Sequence, residues 1–69
     1  MFEEALREGV ERAQDGLRRA RREDLPYEAT AHAARLLDLL DRAHDAGIDT
    51  TSWVDPELVT AAQALAGDL

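Results

Sequence analysis

The chain has 69 residues, a net charge of −7 and no cysteine. This length allows one small domain, which buries little surface unless a disulfide, a metal ion or another subunit supports it. The composition excludes disulfides, thiolate nucleophiles and sulfur-ligated metal centres, and the negative charge opposes binding to nucleic acid and to anionic membranes.

The first predicted helix runs from about Glu3 to Arg22. Apolar residues recur along it at spacings of three and four, which predicts one buried face. That face consists of Leu6, Val10, Ala13, Leu17 and Ala20. Gly9 and Gly16 lie beside it in a stripe of small side chains. Because glycine inside a helix costs about 1 kcal/mol relative to alanine, we expect a neighbouring backbone to approach there. The alternative is that both glycines are exposed and merely tolerated.

The second helix is predicted from about Pro26 to Ala46. Asp24 is expected to be its N-cap, and Pro26 suits the first turn. Gly47 is expected to end it in a left-handed conformation. Its apolar face consists of Ala29, Ala33, Leu36, Leu37, Leu39, Leu40 and Ala43. The connection between the two long helices is short, so they are expected to pack as an antiparallel hairpin.

Residues 49–54 form a predicted turn-rich connector. A short third helix is expected from about Pro56 to Ala66, with Asp55 as its N-cap and Gly67 after its end. Its apolar face consists of Leu58, Val59, Ala62 and Leu65. The predicted fold class is therefore all-α: one mini-domain over residues 1–69, built from an antiparallel αα-hairpin of two long helices plus a short third helix.

The second helix carries more leucine than the first helix is expected to cover. Leaving its leucines partly exposed would forgo roughly 1.5–3 kcal/mol per side chain. A second copy would cover them in a four-helix-bundle-like homodimer. Arginines gather near the hairpin turn and carboxylates near the open end, so an antiparallel pairing of two copies is expected. The predicted interface leucines are Leu36, Leu37, Leu39 and Leu40.

Two further features are candidates for contact with a partner. Trp53 is the only tryptophan and is expected either to close the open end of the hairpin or to anchor an interface. The arginine cluster is expected to be a solvated helix end or to orient a second subunit, and phosphate binding is the alternative. This cluster consists of Arg18, Arg19, Arg21 and Arg22.

Residues 43–54 look like the turn of a helix-turn-helix, because alanine, glycine and isoleucine have a similar spacing. The likeness fails in the element that would read DNA. Asp49 and Asp55 face phosphates unfavourably there, and Pro56 interrupts the helix. DNA recognition by this turn is therefore not expected.

Acidic residues of the second helix and the connector could suggest a divalent-ion site, but their spacing does not converge on one point. They are expected to form a solvated acidic surface with His44 nearby. The set comprises Asp38, Asp41, Asp45 and Asp49.

His32 and His44 are expected at opposite borders of the apolar face. No nucleophile, phosphate-loop or paired-carboxylate motif is present, so neither enzymatic activity nor a cofactor is expected.

The acidic start of the chain and the absence of a run of about 18 apolar residues predict a soluble, cytoplasmic protein. The predicted function is that of a protein–protein interaction or dimerisation module, such as an adaptor, an assembly factor or a regulatory subunit. Its partner would be a second copy or another protein. The alternatives are a nucleic-acid-associated regulator that uses the arginine cluster, a metal- or ligand-dependent protein, and a subunit that folds only in an obligate hetero-complex.

Overall fold

A computed structural model describes residues 1–67, and this part of the chain contains three α-helices and no strand. Helix α1 spans Phe2–Arg22, α2 spans Pro26–Asp45 and α3 spans Pro56–Ala66. The three predicted helices are thus confirmed, with α1 starting one residue earlier and α2 ending one residue earlier than expected. None of the helices within residues 1–67 combines the length and the apolar character needed to cross a membrane.

Helices α1 and α2 pack together as the predicted antiparallel hairpin. A Cβ atom added to Gly9 would lie 3.1 Å from Cδ1 of Leu39, and one added to Gly16 would lie 2.5 Å from the ring of His32. From the first contact to the second the residue number rises in α1 and falls in α2, as antiparallel packing requires. The nearest neighbours of the two added Cβ atoms are therefore side chains of α2, and the close approach of a backbone stays a prediction. The stripe of small residues makes room for α2 side chains.

The turn between α1 and α2 differs from the predicted one. Asp24 has a left-handed backbone with φ of 56°. The Leu25 N–H donates to the Ala20 carbonyl at 2.8 Å, and the Asp24 N–H donates to the Arg21 carbonyl at 3.3 Å. This pair of bonds is a Schellman motif, which needs a left-handed residue at its centre. Asp24 fills that position, so it is not the N-cap of α2, and Leu25 takes the N-cap position without a side-chain cap.

The end of α2 agrees with the prediction. Gly47 has φ of 73°, and the Ile48 N–H donates to the Ala43 carbonyl at 2.9 Å. Ile48 thereby folds back onto the last turn and packs against the core. At the start of α3 the Asp55 carboxylate accepts a hydrogen bond from the Glu57 N–H at 3.0 Å, which confirms the predicted N-cap.

The core lies where α2 meets both other helices. All five residues of the predicted α1 face are buried, and α3 packs mainly on α2 and only slightly on α1. From α2 and α3 the buried apolar residues are Ala29, Ala33, Leu36, Leu39, Ala43, Leu58, Ala62 and Ala66. Leu65 does not belong to this set and is 38% exposed. Residues four apart in α3 share the inner face, so Ala66 takes the place expected for Leu65.

Candidate interaction surface

The leucines proposed for an interface are mostly covered by the chain itself. Leu36 is 0% exposed and Leu39 is 5% exposed, while Leu37 and Leu40 are half-buried against the same core. The expectation that α1 cannot cover them is therefore wrong for Leu36 and Leu39. Gly9 gives Leu39 room to sink into α1, and α3 covers another side of α2. A surface contact through Leu36 or Leu39 would require the core to open.

Trp53 is half-buried and packs against the core. A buried glutamine holds its backbone in place. The Gln14 side-chain amide donates to the Trp53 carbonyl at 2.9 Å, and the Gln14 carbonyl oxygen accepts from the Asp55 N–H at 2.8 Å. Gln14 itself is only 4% exposed. The connector is thus clipped onto the middle of α1, and Trp53 has the position of a lid; its use as an interface anchor stays a prediction.

The arginine cluster divides into paired and unpaired members. Arg18 approaches Asp15 at 3.1 Å and Asp55 at 3.8 Å, and Arg19 pairs with Glu23 at 2.9 Å. Among residues 1–67, Arg21 and Arg22 are the two arginines with no carboxylate oxygen within 4.0 Å. Within the part of the chain that the structure describes, the cluster therefore presents two arginines without an ion-pair partner rather than four.

A groove opens where the hairpin turn meets the last turns of α3, and we call it the turn groove. It encloses about 410 Å³, and its apolar lining includes Leu25, Ala61 and Leu65. Leu25 is 39% exposed and Leu65 is 38% exposed, so both leucines remain accessible from solvent. Arg21 and Asp24 line the same groove. Within the described part of the chain Asp24 has no ion-pair partner either, so the groove combines apolar side chains with one unpaired charge of each sign.

A second apolar patch lies on the outer face of α2. Tyr27 is 85% exposed and borders a shallow depression together with Thr30, Ala31 and Ala34. Glutamate, aspartate and arginine side chains flank this patch along the helix. Its exposed apolar surface comes from the Tyr27 ring and the methyl groups of Thr30, Ala31 and Ala34, and its lining residues carry no charge.

The acidic residues do not converge on one point within residues 1–67. No group of three or more histidine, aspartate or glutamate side chains there has the arrangement of a metal site. Asp38 instead contacts Arg42 at 3.1 Å. His44 is exposed, and His32 is half-buried against Gly16.

Asp49 accepts hydrogen bonds from Thr51 in the connector. The Thr51 hydroxyl donates to the Asp49 carboxylate at 2.6 Å, and the Thr51 N–H donates to the same oxygen at 2.9 Å. These bonds, chiefly the one from the hydroxyl, lower the pKa of Asp49. The carboxylate thus stabilises a local turn.

The segment that resembled a helix-turn-helix has no helix directly after the turn. Residues 46–55 form turns and irregular backbone, and α3 begins only at Pro56. The expectation against DNA recognition rested on the charges of Asp49 and Asp55 and on the interruption of a helix by Pro56, and the backbone of this segment forms no helix before Pro56.

The chain matches no protein-family model, and it matches none of the curated proteins or solved structures with which it was compared.

Sequence reasoning missed Gln14 and the turn groove. Gln14 lies four residues after Val10 and three before Leu17, beside the buried face of α1, and a polar residue at that spacing is a usable signal for a buried hydrogen bond. Leu25 is the single apolar residue between Glu23 and Pro26, but nothing local shows whether α3 would cover it. The exposure of Leu65 depends on how α3 rotates against α2, which the α3 sequence alone does not specify.

Proposed function

We propose that this chain is a protein–protein interaction module, which binds a second copy of itself or another protein in the manner of an adaptor, an assembly factor or a regulatory subunit. One observation carries the proposal. The core is closed, with Leu17, Leu36 and Val10 fully buried, yet Leu25 and Leu65 remain exposed together in one groove. Single exposed leucines are common on protein surfaces, whereas apolar residues grouped in a concave patch are typical of interaction sites.

The arginine cluster supports nucleic-acid binding less well than protein binding. Phosphate recognition depends on several cations that can replace counterions. Arg18 and Arg19 are already engaged by carboxylates, so only Arg21 and Arg22 remain for such a role. We therefore retain the protein-interaction proposal rather than the nucleic-acid alternative.

Affinity capture with a tagged chain tests this function. The bait is incubated with lysate of the native cells and, separately, with an untagged copy of the same chain. We expect the wild-type bait to retain either a protein from the lysate or the untagged copy in stoichiometric amount. A Leu65→Asp bait should retain much less. The proposal is contradicted when the wild-type bait retains nothing beyond what the Leu65→Asp bait retains and the free chain also remains monomeric at all concentrations.

A further inference from the structure

We propose that the turn groove is the surface through which two copies of this chain pair about a two-fold axis, with Arg21 of each copy facing Asp24 of the other. This inference rests on the proposed function and specifies its partner. It replaces the α2 leucines as the predicted contact, because Leu36 and Leu39 are already buried.

The groove is complementary to itself. In a two-fold dimer the same patch occurs on both subunits, so each attractive group must find its complement within that patch. The turn groove supplies exposed leucines for mutual burial in Leu25 and Leu65. It also supplies one cation, Arg21, and one anion, Asp24, neither of which has an ion-pair partner within residues 1–67.

A second copy satisfies both charges, and this favours it over a foreign helix. An acidic amphipathic helix in the groove would neutralise Arg21 but would bring its carboxylates towards Asp24. A basic helix would have the opposite defect. Two copies related by a two-fold axis form two Arg21–Asp24 pairs and leave neither group opposite a like charge.

The overall charge distribution also favours contact at the turn. Each chain carries a net charge of −7, so two copies repel each other. Half of the eight arginines lie in the segment 18–22 next to the turn, whereas Asp41, Asp45 and Glu4 lie towards the open end of the hairpin. Pairing at the turn therefore joins the least acidic ends and keeps the acidic ends apart.

The outer patch on α2 is the competing surface for the same occupant. Its apolar side chains are Tyr27, Ala31 and Ala34, without an exposed leucine or a complementary pair of charges among the lining residues. We therefore assign pairing to the turn groove, and the experiment includes a variant of each surface.

A charge-exchange experiment tests the pairing by sedimentation equilibrium. Arg21→Asp places two carboxylates opposite each other in both contacts, and Asp24→Arg places two guanidinium groups there. Each variant alone should dimerise at least about tenfold more weakly than the wild type. An equimolar mixture of the two restores opposite charges in both contacts, so it should form heterodimers near wild-type affinity. Native mass spectrometry identifies those heterodimers by their mass.

Matched controls separate a contact from a general charge effect. Arg22→Asp changes the net charge by the same amount as Arg21→Asp, but Arg22 does not line the groove. It should leave the dimerisation constant within about twofold of the wild-type value, since rim charges outside a contact act weakly. Circular dichroism confirms that each variant is folded.

A second pair of variants covers the possibility that Asp24→Arg disrupts the left-handed turn. Leu65→Asp places a charge in the apolar part of the groove and should abolish dimerisation, whereas Tyr27→Asp on the outer patch should leave it unchanged. Leu65 is partly exposed at the end of α3, so its substitution is compatible with a folded chain.

The outcomes distinguish this inference from the function on which it rests. Weakening by both single variants, restoration in the mixture and neutrality of Arg22→Asp support the pairing. Equal weakening by Arg21→Asp and Arg22→Asp, or loss of the dimer in Tyr27→Asp but not in Leu65→Asp, overturns the turn groove as the contact while self-association stands. A wild-type chain that stays monomeric overturns the pairing. The proposed function is then supported if the bait captures another protein and contradicted if it does not.

Discussion

The hairpin core is covered to different extents beneath the connector and at the turn groove. At the middle of α1 the segment between α2 and α3, which contains the connector, is held on the core by the Gln14 side chain, which contacts the backbone of Trp53 and Asp55 at 2.9 and 2.8 Å. At the turn no such clip exists within the described residues, and Leu25 and Leu65 remain 39% and 38% exposed.

The difference follows from where backbone polar groups need partners. A connector that crosses an apolar face must satisfy its N–H and carbonyl groups, because leaving them unpaired next to a core is unfavourable. Gln14 supplies one donor and one acceptor for this purpose, and the connector closes over the core. At the turn the Ala20 and Arg21 carbonyl groups at the end of α1 accept the Schellman bonds from the Leu25 and Asp24 N–H groups. The apolar side chains there are consequently left free to contact another molecule.

The largest expected effect comes from truncating a fully buried leucine, Leu36, in comparison with a partly exposed one, Leu65. Leu36→Ala should lower the free energy of unfolding by about 2–5 kcal/mol, because Leu36 is fully buried and truncation leaves a cavity. Leu65→Ala should lower it by roughly 1 kcal/mol or less, because the side chain is already partly hydrated. Urea denaturation followed by circular dichroism measures both at a protein concentration too low for dimerisation. Equal losses would show that the turn groove is as closed as the core.

The next effect concerns the two hydrogen bonds by which the Gln14 side chain holds the backbone of Trp53 and Asp55. Gln14→Leu removes both hydrogen bonds and leaves the Asp55 N–H and the Trp53 carbonyl without their partner, so unfolding should become easier by about 1–3 kcal/mol. Trp53 is the only tryptophan, and its fluorescence should shift to longer wavelength as the connector loosens.

Gln63→Leu is the matched control for Gln14→Leu, because Gln63 is exposed and its side chain makes no hydrogen bond to the connector within the described residues. It should leave the fluorescence unchanged. An unchanged spectrum in Gln14→Leu as well would mean that the connector stays in place without the clip.

The two residues with a left-handed backbone, Asp24 and Gly47, offer a smaller, paired comparison. Asp24→Gly should raise the free energy of unfolding by about 1 kcal/mol, because glycine adopts the left-handed conformation without the steric penalty of a side chain. Gly47→Ala should lower it by about the same amount for the opposite reason. Thermal unfolding at low protein concentration measures both, and changes of the same sign at the two positions would contradict the assignment.

The smallest effect is on titration in the connector. The hydrogen bonds from Thr51 lower the pKa of Asp49 below its ordinary value of 3.8. A carboxyl group with a lowered folded-state pKa favours the folded chain above its unfolded-state pKa, and that contribution is lost as the pH falls through the folded-state pKa.

Thr51→Val should therefore raise the pKa of Asp49 towards 3.8, because it removes the hydroxyl bond and leaves the backbone bond. Carboxyl-carbon NMR titration measures the shift, with Asp49→Asn to assign the resonance. A pKa that does not move in Thr51→Val would assign the effect to the backbone bond alone.

The local features of this protein can be derived from residues that are close together in the amino-acid sequence. The spacing of apolar residues predicts all three helices and the five buried apolar residues of α1, and Asp55, Gly47 and Pro56 mark helix ends that the structure confirms. These features depend on side chains within one or two helical turns of each other, so they can be derived from neighbouring residues alone.

Which apolar residues remain available to a partner depends on how the three helices pack. The burial of Leu39 depends on Gly9, which lies 30 positions earlier in the chain, and the clip of Gln14 reaches 41 positions ahead to Asp55. The exposure of Leu65 depends on how α3 rotates against α2. The exposed fraction of a side chain depends on neighbours that come from distant segments of the chain. The distances between those segments are set by the packing of the helices and not by residues adjacent in sequence.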